Sequence, residues 1–284
     1  LRRKTMACLY VVATPIGNLS DMTPRAIETL KSVDLIAAED TRVTRALLNH
    51  FGIDTPCVSN HQHNEEARAS SLPQRMLEEE LDVAVVTDAG TPCISDPGET
   101  LVKLCIKADV KVEVVPGPSA VISALAVSGL SVSRFTFEGF LSVKRTSRME
   151  HLMELRHERR TMVFYEAPHK LLNTLKDMNS VFGDRNIVVV KELTKIHETS
   201  WRGTLSEAVK YHTENPPKGE YVLVLDGEQI EKEEMRDPME EAISIAKELM
   251  EKGKPASMAA KEAAKLTGQT KGEVYKRLME EEEE

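Results

Sequence analysis

Three apolar, β-branched segments in the first half of the chain each stop abruptly at glycine and proline. They are Leu9–Asn18 (LYVVATPIGN), Val83–Gly98 (VAVVTDAGTPCISDPG) and Val112–Val121 (VEVVPGPSAV). Such runs are typical of buried parallel strands, and the residues that follow mark turns at the carboxyl ends of the strands. Open α/β sheets bind their ligands at that edge. The pattern predicts a parallel sheet whose ligand is held largely by backbone, because glycine lets a main chain approach closely.

The order of apolar and amphipathic segments predicts an α/β protein with two α/β domains and a small helical domain. The predicted domains cover residues 1–120, 121–230 and 236–284, and the strand order of the second domain stays open. The last domain consists of three short helical segments, which favours either a helix-turn-helix unit or a small stabilising bundle. The predicted strands lie near residues 8–13, 33–38, 83–87, 111–115, 135–139, 161–165, 186–190 and 221–225.

Charge and composition narrow the class of protein. The net charge of −9 argues weakly against a nucleic-acid partner, but residues 252–277 carry seven Lys and Arg against two Glu, a local charge of +5. No apolar stretch approaches the roughly 20 residues of a membrane helix. The four cysteines form no CxxC pair, so we expect neither a zinc site nor a disulfide framework, and we expect a cytoplasmic protein.

The loops themselves exclude two nucleotide-binding motifs. Neither GxGxxG nor GxxxxGK[ST] follows any predicted strand, which argues against a dinucleotide fingerprint and a P-loop. The loops instead pair glycine with proline, and proline stiffens a loop while removing a backbone donor. A rigid pocket for a nucleoside-like ligand is therefore favoured over a phosphate cradle, which needs many free N–H groups.

Seven motifs occur together and in order, and together they are similar to one enzyme family. The chain resembles the ribosomal RNA small-subunit methyltransferase I family, within the tetrapyrrole-methylase-like S-adenosylmethionine enzymes, from about residue 8 to 228. The tail, with GKPASMAAKEAAKLTG, resembles the C-terminal helix-turn-helix domain of that family. The motifs are ATPIGNL, AAEDTR, TDAGTPCISDPG, VVPGPSA, FEGFL, FYEAPHK and KELTKIHE.

The resemblance implies a fold, a reaction and partners. It implies two α/β/α domains with a deep cleft between them, the class III methyltransferase fold, and a homodimer. It implies S-adenosylmethionine as the methyl donor. The implied reaction methylates the ribose 2′-hydroxyl of cytidine 1402 in the decoding region of 16S rRNA, in the 30S subunit.

The resemblance also implies which residues hold the donor. The first glycine–proline loop matches one contact to the donor. The second loop, in the motif TDAGTPCISDPG, matches the contact to the methionine and ribose parts of the donor. The third loop adds further contacts. The second domain supplies the side that matches an adenine pocket. The implied donor-binding residues are Pro15, Ile16, Gly17, Ala89, Gly90, Thr91, Ile94, Ser119, Ala120, Tyr165, Gly219 and Val222.

Methyl transfer to a ribose hydroxyl needs a proton acceptor, and three residues are the catalytic candidates. Asp40 is one, although a carboxylate pair such as Glu39 and Asp40 at a strand end is more often a helix cap or an arginine partner. Lys191 would stabilise a developing alkoxide or bind phosphate. Glu166, in FYEAPHK, is the third candidate.

A metal is not expected, although one motif resembles a metal-binding pair. His61 and His63 have the spacing of such a pair, but no third ligand suggests itself, so surface polarity or contact with RNA is favoured. Tyr165, Trp201 and Phe140 are possible stacking platforms for a base, with core or cofactor-wall roles as the alternative.

Two rival functions remain at this point. The first is a methyltransferase of the same fold that acts on a tetrapyrrole or another small metabolite. Thr91 argues against it, since tetrapyrrole methylases tend to carry aspartate there, and so does the basic tail, which a small substrate would not need. The second is a non-catalytic nucleic-acid-binding protein, which predicts damaged cofactor loops, whereas all three loops look intact.

Overall fold

The computed structural model describes residues 7–60, 71–229 and 237–282. The chain divides into two compact units, residues 1–228 and 229–284. The domain boundaries predicted from the sequence stay predictions, since both sheets lie within the first unit. His61 and His63 lie outside the described residues.

The described part of the first unit holds ten strands and eight α-helices. The strands are β1 (Cys8–Val12), β2 (Leu35–Ala38), β3 (Cys57–Ser59), β4 (Val83–Val86), β5 (Lys111–Val115), β6 (Phe135–Phe140), β7 (Thr161–Glu166), β8 (Asn186–Lys191), β9 (Thr199–Thr204) and β10 (Tyr221–Leu225). The helices are α1 (Pro24–Ser32), α2 (Thr41–His50), α3 (Leu72–Glu78), α4 (Glu99–Lys107), α5 (Ala120–Ser128), α6 (Arg145–Glu154), α7 (Pro168–Phe182) and α8 (Leu205–Glu214).

The first sheet is parallel throughout, as its β-branched runs predict. Its strand order is β3-β2-β4-β1-β5, and β1 pairs in parallel with both β4 and β5. The prediction that all three runs are buried was wrong for the third, because β5 is an edge strand and Val114 is 61% exposed. The alternating charges Lys111 and Glu113 on β5 suit such an edge. β3, only three residues long, was not predicted from the sequence.

The second sheet is mixed, with the order β6-β7-β10-β8-β9. β6 and β7 are parallel, whereas β10 runs antiparallel to both β7 and β8, and β9 runs antiparallel to β8. β9 (TSWRGT) was not predicted from the sequence. Its alternation is obscured by glycine and serine, so pairing with β8 rather than local pattern makes it a strand.

Helix boundaries follow the local sequence closely. Thr23 caps α1 by accepting a hydrogen bond from the Ala26 N–H, and Pro24 occupies the first helical position. α7 starts at Pro168 and ends before Gly183, whose φ of 71° is the left-handed region that glycine adopts readily. The local sequence therefore explains the start of α1 and the end of α7.

Both faces of each sheet are buried by apolar side chains, which creates four packed clusters in the first unit. α5 follows β5 of the first sheet, yet Val121, Ala124 and Leu125 pack against the second sheet through Val188 and Val222. The chain therefore passes from one sheet to the other at residue 120, just after the third glycine–proline loop.

The second unit is a three-helix bundle made of α9 (Pro238–Glu251), α10 (Ala256–Thr267) and α11 (Lys271–Glu282). Small alanine side chains on α9 and α10 pack closely, together with Val274 and Leu278 of α11. Gly253 and Gly268 separate the helices in left-handed conformations, with φ of 87° and 72°. Throughout the ranges that the structure describes, no helix has the length and apolarity that crossing a membrane requires.

Candidate active site

A cavity of about 410 Å³ lies at the carboxyl ends of β1, β4 and β5 and reaches the second sheet. Two groups of residues line it, and we name them by their origin. The loop wall consists of Ile16, Glu39, Asp88, Ala89, Gly90, Thr91, Ile94, Asp96, Ser119 and Ala120. The strand wall consists of Phe140, Tyr165, Glu166, Ala167, Pro168, Val190, Glu192, Leu193, Glu220, Tyr221 and Val222.

Backbone hydrogen bonds join the loops of the loop wall to one another. The Thr14 N–H donates to the Gly90 carbonyl at 2.9 Å, and the Gly90 N–H donates back at 3.1 Å. The Thr91 hydroxyl donates to the Pro118 carbonyl at 3.3 Å. Gly90 has a φ of 89°, in the left-handed region that residues with a side chain rarely adopt. This backbone pairing therefore favours glycine at position 90. The three glycine–proline loops therefore form one connected surface.

The loop between β4 and α4 holds an unusual concentration of left-handed backbone. Cys93 and Ser95 have φ of 74° and 62°, and Gly98 has φ of 128°. Non-glycine residues in this region cost on the order of 1–3 kcal/mol each and persist where the surroundings fix them, most often at functional sites. A methyl group placed on Gly139 would lie 3.2 Å from Ser95 Oγ, so this loop packs against β6.

Three carboxylates of the loop wall influence one another. Glu39 Oε2 accepts hydrogen bonds from the Thr87 hydroxyl at 2.5 Å and from the Asp88 N–H at 3.2 Å. Burial, and then the charge of Glu39, raise the pKa of Asp88. The same two causes raise the pKa of Asp96 to about 6. The loop wall thus holds a carboxyl group that titrates near neutral pH.

A β-bulge shapes the strand wall. Phe137 pairs with Val163 and Gly139 with Phe164, so Glu138 is an extra residue in β6. Residues three apart in a regular strand face opposite sides, and one extra residue brings them to the same side. The rings of Phe137 and Phe140 accordingly both contact Tyr165, at centroid distances of 4.9 and 5.4 Å. The bulge therefore turns Phe140, which is 55% exposed, towards the cavity.

Two further acidic groups of the strand wall are held by a lysine. Lys195 Nζ lies 2.9 Å from Glu192 Oε1 and 2.8 Å from Glu220 Oε2. A methyl group on Gly17 would lie 2.5 Å from Lys195 Cγ, and one on Gly219 would lie 2.6 Å from Glu192 Cδ. Glycine at position 17 therefore lets the first loop approach the strand wall, and glycine at position 219 makes room for the Glu192 side chain.

Most of the donor-binding residues implied by the resemblance line this cavity. Pro15 and Gly17 do not, and they line a neighbouring groove bordered by α2. Gly219 lines neither space and instead lies against Glu192. The cavity lining includes the implied residues Ile16, Ala89, Gly90, Thr91, Ile94, Ser119, Ala120, Tyr165 and Val222.

Glu166 lines the cavity, but its two carboxylate oxygens already have partners. Oε1 accepts from the Ala167 N–H and pairs with Lys170 Nζ, both at 2.8 Å. Oε2 accepts from the Thr174 hydroxyl at 2.5 Å. These contacts fix the first turns of α7 to the end of β7.

Asp40 and Lys191 are not among the residues that line the cavity. Asp40 caps α2 through the Arg42 N–H at 2.8 Å and pairs with the Arg42 guanidinium at 2.6 Å. These bonds lower the pKa of Asp40 to about 2. Val190 faces the cavity, so strand alternation turns Lys191 to the other face. The three catalytic candidates are thus not brought together, and each stays a prediction.

Asp96 was not identified from the sequence as a site residue. Asp96 precedes Pro97 and Gly98, and this sequence is typical of an exposed turn. The sequence therefore does not reveal that Asp96 is partly buried. Phe140 was considered as a stacking platform, but only the bulge reveals that it faces the cavity. No group of three or more metal-ligating side chains is formed by the described residues.

Comparison with known proteins identifies the family. A family model described as Tetrapyrrole (Corrin/Porphyrin) Methylases matches residues 8–209. A Synechocystis protein named "Ribosomal RNA small subunit methyltransferase I" is 48% identical over 282 residues, 97% of this chain and 98% of that protein. A Thermotoga maritima protein of the same name is 46% identical over 224 residues, 79% of this chain and 100% of its own length.

Solved structures share the fold over most of the chain. A cobalt precorrin-4 methyltransferase, a cobalamin biosynthetic enzyme, has a TM-score of 0.58 at 20% sequence identity and covers 79% of this chain and 97% of its own. At this identity the likeness shows the fold alone. With the family model and the near-full-length relatives, however, the chain belongs to the tetrapyrrole methylase family, in its ribosomal RNA small subunit methyltransferase I group.

Proposed function

We propose that this chain transfers a methyl group from S-adenosylmethionine to the ribose 2′-hydroxyl of cytidine 1402 in 16S rRNA. The observation that carries the proposal is the match over 97% of the chain, at 48% identity, to a protein named for small-subunit rRNA methylation. The donor, the 2′-hydroxyl and the single cytidine come from the family resemblance.

The chemistry of the cavity fits S-adenosylmethionine. The donor carries a sulfonium and an ammonium, and the cavity offers acidic groups such as Asp88 and Asp96 beside the apolar Ile16 and Val222. A cavity of about 410 Å³ falls within the usual range of roughly 300–1,000 Å³ for small-molecule sites. The backbone of Gly90 and the small side chain of Ala120 leave room for close approach.

When bound, S-adenosylmethionine supplies a methyl group already activated on sulfur. The protein's own residues then have to bind, orient and exclude water. Holding two reactants in attack geometry supplies about 7–11 kcal/mol of the barrier. The rigid loop wall, fixed by the Thr14–Gly90 backbone pair and the Thr91–Pro118 hydrogen bond, suits that task.

Basic and aromatic groups near the cavity support an RNA substrate despite the overall negative charge. Arg42 is exposed and its charge acts on Asp88 of the loop wall. On the strand wall, Lys170 Nζ lies 5.8 Å from the centre of the Phe140 ring. Phe140 offers an exposed aromatic face of the kind on which splayed bases stack.

A homodimer is supported by the exposed apolar side of α5 and the segment after it. Ile122, Val127 and Val132 are 55%, 40% and 51% exposed. Soluble monomers rarely expose contiguous apolar surface without a function. We propose that a second copy of the chain covers this surface, and that the protein works in the cytoplasm, where its rRNA substrate is assembled.

We propose that the second unit adds affinity for the 30S subunit and does not take part in the chemistry. The Thermotoga maritima relative matches over its whole length within 224 residues, about the size of the first unit. Lys261 and Lys265 are exposed on one face of α10, four residues apart, where they suit phosphate contacts.

The test is methylation of 30S subunits from a strain that lacks this modification, with radiolabelled S-adenosylmethionine. We expect label in 16S rRNA at one cytidine, and resistance of the adjoining phosphodiester to alkali, because a methylated 2′-oxygen can no longer attack it. Naked 16S rRNA is assayed in parallel to separate the two substrate forms. Label on a base, or on a tetrapyrrole but not on RNA, would refute the proposal.

The role of the second unit is tested with the chain ending at residue 229. Shortened and full chains should reach the same kcat on 30S subunits, and the shortened chain should show a higher KM. The double variant Lys261→Glu, Lys265→Glu in the full chain should raise KM in the same direction. Loss of kcat without a change in KM would contradict this role.

A further inference from the structure

We infer that the segment joining β6 to α6 is a rigid surface that contacts the RNA beside the nucleotide to be methylated. We call residues 140–145 (FLSVKR) the platform segment. The inference rests on the proposed function and names where the RNA binds and what holds that surface in place. It follows from the attachment of the segment to the cavity, from the contacts of its backbone, and from the side chains that it exposes.

The platform segment begins at the wall of the cavity. Its first residue, Phe140, lines the cavity and is 55% exposed. The next residue, Leu141, is buried, and its carbonyl accepts a hydrogen bond from Lys170 Nζ at 3.0 Å. The same Nζ lies 2.8 Å from Oε1 of Glu166, which also lines the cavity. Direct contacts therefore tie the segment to the cavity wall, in addition to its place in the chain.

The backbone that follows is held by a buried arginine. Arg148 Nη1 donates to the carbonyls of Ser142 and Val143, at 2.9 and 3.2 Å. Arg148 Nε and Nη2 both donate to Asp177 Oδ2, at 2.9 and 2.7 Å. Both charged side chains are buried, and such a pair persists only with good geometry and satisfied hydrogen bonds. The carbonyls of residues 141–143 are thus each bound by a cationic side chain, which fixes the path of the segment.

The side chains of the platform segment are mostly exposed, although its backbone is held in place. Val143 is 75% exposed and Arg145 is 71% exposed. Lys144 is exposed as well. A single exposed aliphatic side chain is ordinary on a protein surface. Here, however, the aliphatic side chain lies between an exposed aromatic ring and two exposed cations, on a backbone that cannot move freely.

Arg145 is oriented by the carboxylate that neutralises Arg148. Its Nε lies 3.1 Å from Asp177 Oδ1, whereas Arg148 uses Oδ2. A guanidinium that is held through Nε still presents its two terminal nitrogens, and this fork suits the oxygens of a phosphate. Ordering a side chain before it binds lowers the entropic cost of the contact. Asp177 and Arg148 act on the RNA only through the platform segment, so we call them positioning residues.

The exposed groups of the platform segment fit unpaired RNA. Proteins bind unpaired RNA with aromatic rings on which bases stack and with cations that contact phosphates. Residues 139–149 contain three basic side chains and no acidic one, in a chain with a net charge of −9. A second copy of the chain fits less well, because a two-fold contact centred on this surface would bring like charges together.

The first test changes exposed side chains only. Lys144→Gln together with Arg145→Gln should raise KM for 30S subunits about tenfold. The slope of log KM against log salt concentration should become shallower by roughly 2, one for each lost phosphate contact. The calorimetric Kd for S-adenosylmethionine should not change. A contact that only stabilises the fold would not alter the salt slope.

The control removes two exposed charges from the opposite end of β7. Arg156 and Arg159 are exposed in the loop before β7, whereas Glu166 at the other end of that strand lines the cavity. Arg156→Gln together with Arg159→Gln should leave both KM and the salt slope unchanged. Equal effects of the two double variants would overturn the inference, because the total charge and not the platform segment would then be responsible.

The second test locates the segment on the RNA directly. Val143→p-benzoylphenylalanine adds a photoreactive side chain, and the protein is irradiated with 30S subunits that lack the modification. We expect a cross-link to 16S rRNA at the methylated cytidine or its immediate neighbours, and none there from the control Arg159→p-benzoylphenylalanine. A cross-link from position 143 only to a second copy of the chain would assign this surface to the dimer instead. Absence of any cross-link to RNA would also reject the inference.

The third test concerns the positioning residues. Arg148→Met together with Asp177→Leu replaces the buried pair by apolar side chains, a change that is often neutral for stability. We expect faster hydrogen exchange of the backbone amides of residues 142–145 and a higher KM for 30S subunits. Adding Lys144→Gln and Arg145→Gln to this variant should then raise KM less than in the unsubstituted chain, because the two pairs act as one unit.

An unchanged KM despite faster exchange would show that the order of the platform segment is irrelevant to RNA binding. If the apolar variant does not fold, the first two tests still decide the inference, since they leave the buried pair intact. Failure of the proposed function is distinguishable from all of these results. In that case the unsubstituted enzyme itself would transfer no methyl group to 16S rRNA.

Discussion

The loop wall and the strand wall of the cavity hold their residues by different means. The loop wall depends on backbone conformation, with Gly90, Cys93 and Ser95 all at positive φ. The strand wall depends on side-chain alternation and on the bulge at Glu138, which brings Phe137 and Phe140 to one side of β6. One wall is therefore sensitive to single glycine substitutions, and the other to the register of strands.

The difference shows where residues that stabilise the fold are distinct from residues that line the cavity. On β7, Phe164 is fully buried in the core on one face of the second sheet, and the adjacent Tyr165 faces the cavity on the other. On the loop wall no such separation exists, since the same backbone turns both close the loops and line the cavity. The following predictions test this contrast, beginning with the largest expected effect.

Phe164→Ala should have the largest effect, and the effect should be on stability. Removing a fully buried phenylalanine costs about 3–5 kcal/mol of the free energy of unfolding. Tyr165→Phe, one residue along, removes only a hydroxyl and should cost less than about 1 kcal/mol. Urea unfolding of both variants measures the difference. Equal losses for the two would show that the faces of β7 are not distinct.

Gly90→Ala should disturb the conformation of the loop wall, and it should lower the free energy of unfolding less than Phe164→Ala does. Alanine at φ of 89° is strained by about 1–2 kcal/mol, and its methyl would lie 3.4 Å from Ile16 Cγ2. We expect the Kd for S-adenosylmethionine to rise about 10- to 100-fold in calorimetry. Gly52→Ala is the control, because Gly52 also has positive φ but a methyl there meets nothing within 4 Å. If Gly52→Ala raised the Kd for S-adenosylmethionine as much, backbone strain alone would be the cause of the weaker binding.

Phe140→Ala should weaken the binding of RNA more than the binding of S-adenosylmethionine. The side chain is 55% exposed, so stability should change little, whereas a lost stacking contact is worth about 1–3 kcal/mol. We expect KM for 30S subunits to rise about tenfold and Phe140→Trp to restore it. A Kd for S-adenosylmethionine that rises tenfold with KM for RNA unchanged would make Phe140 part of the donor pocket instead.

Asp40→Asn should have the smallest effect at neutral pH. Because Arg42 lowers the pKa of Asp40 to about 2 from 3.8, the pair stabilises the fold above pH 3.8, and that contribution is lost as pH falls towards 2. The variant should therefore unfold slightly more easily at pH 7, and the difference should shrink on acidification. Its kcat should stay within about twofold of the unsubstituted enzyme. A loss of about 100-fold would instead support Asp40 as the proton acceptor.

Local sequence alone was enough to specify the backbone turns of the loop wall. Glycine and proline at the ends of β-branched runs restrict φ within a few residues, and the parallel pairing of β1, β4 and β5 brings those turns to one edge. The start of α1 at Thr23 and Pro24 is local in the same way. These features could be predicted because their causes lie close together in the chain.

Only the tertiary structure decided the strand wall, the exposed edge at β5 and the state of the acidic groups in the loop wall. The antiparallel place of β9, the exposed edge at β5 and the bulge before Phe140 depend on pairing with distant strands. The raised pKa of Asp96 comes from burial and from Glu39, 57 residues earlier in the chain. Periodicity and turn signals report on neighbours along the chain, whereas burial and charge depend on neighbours in space.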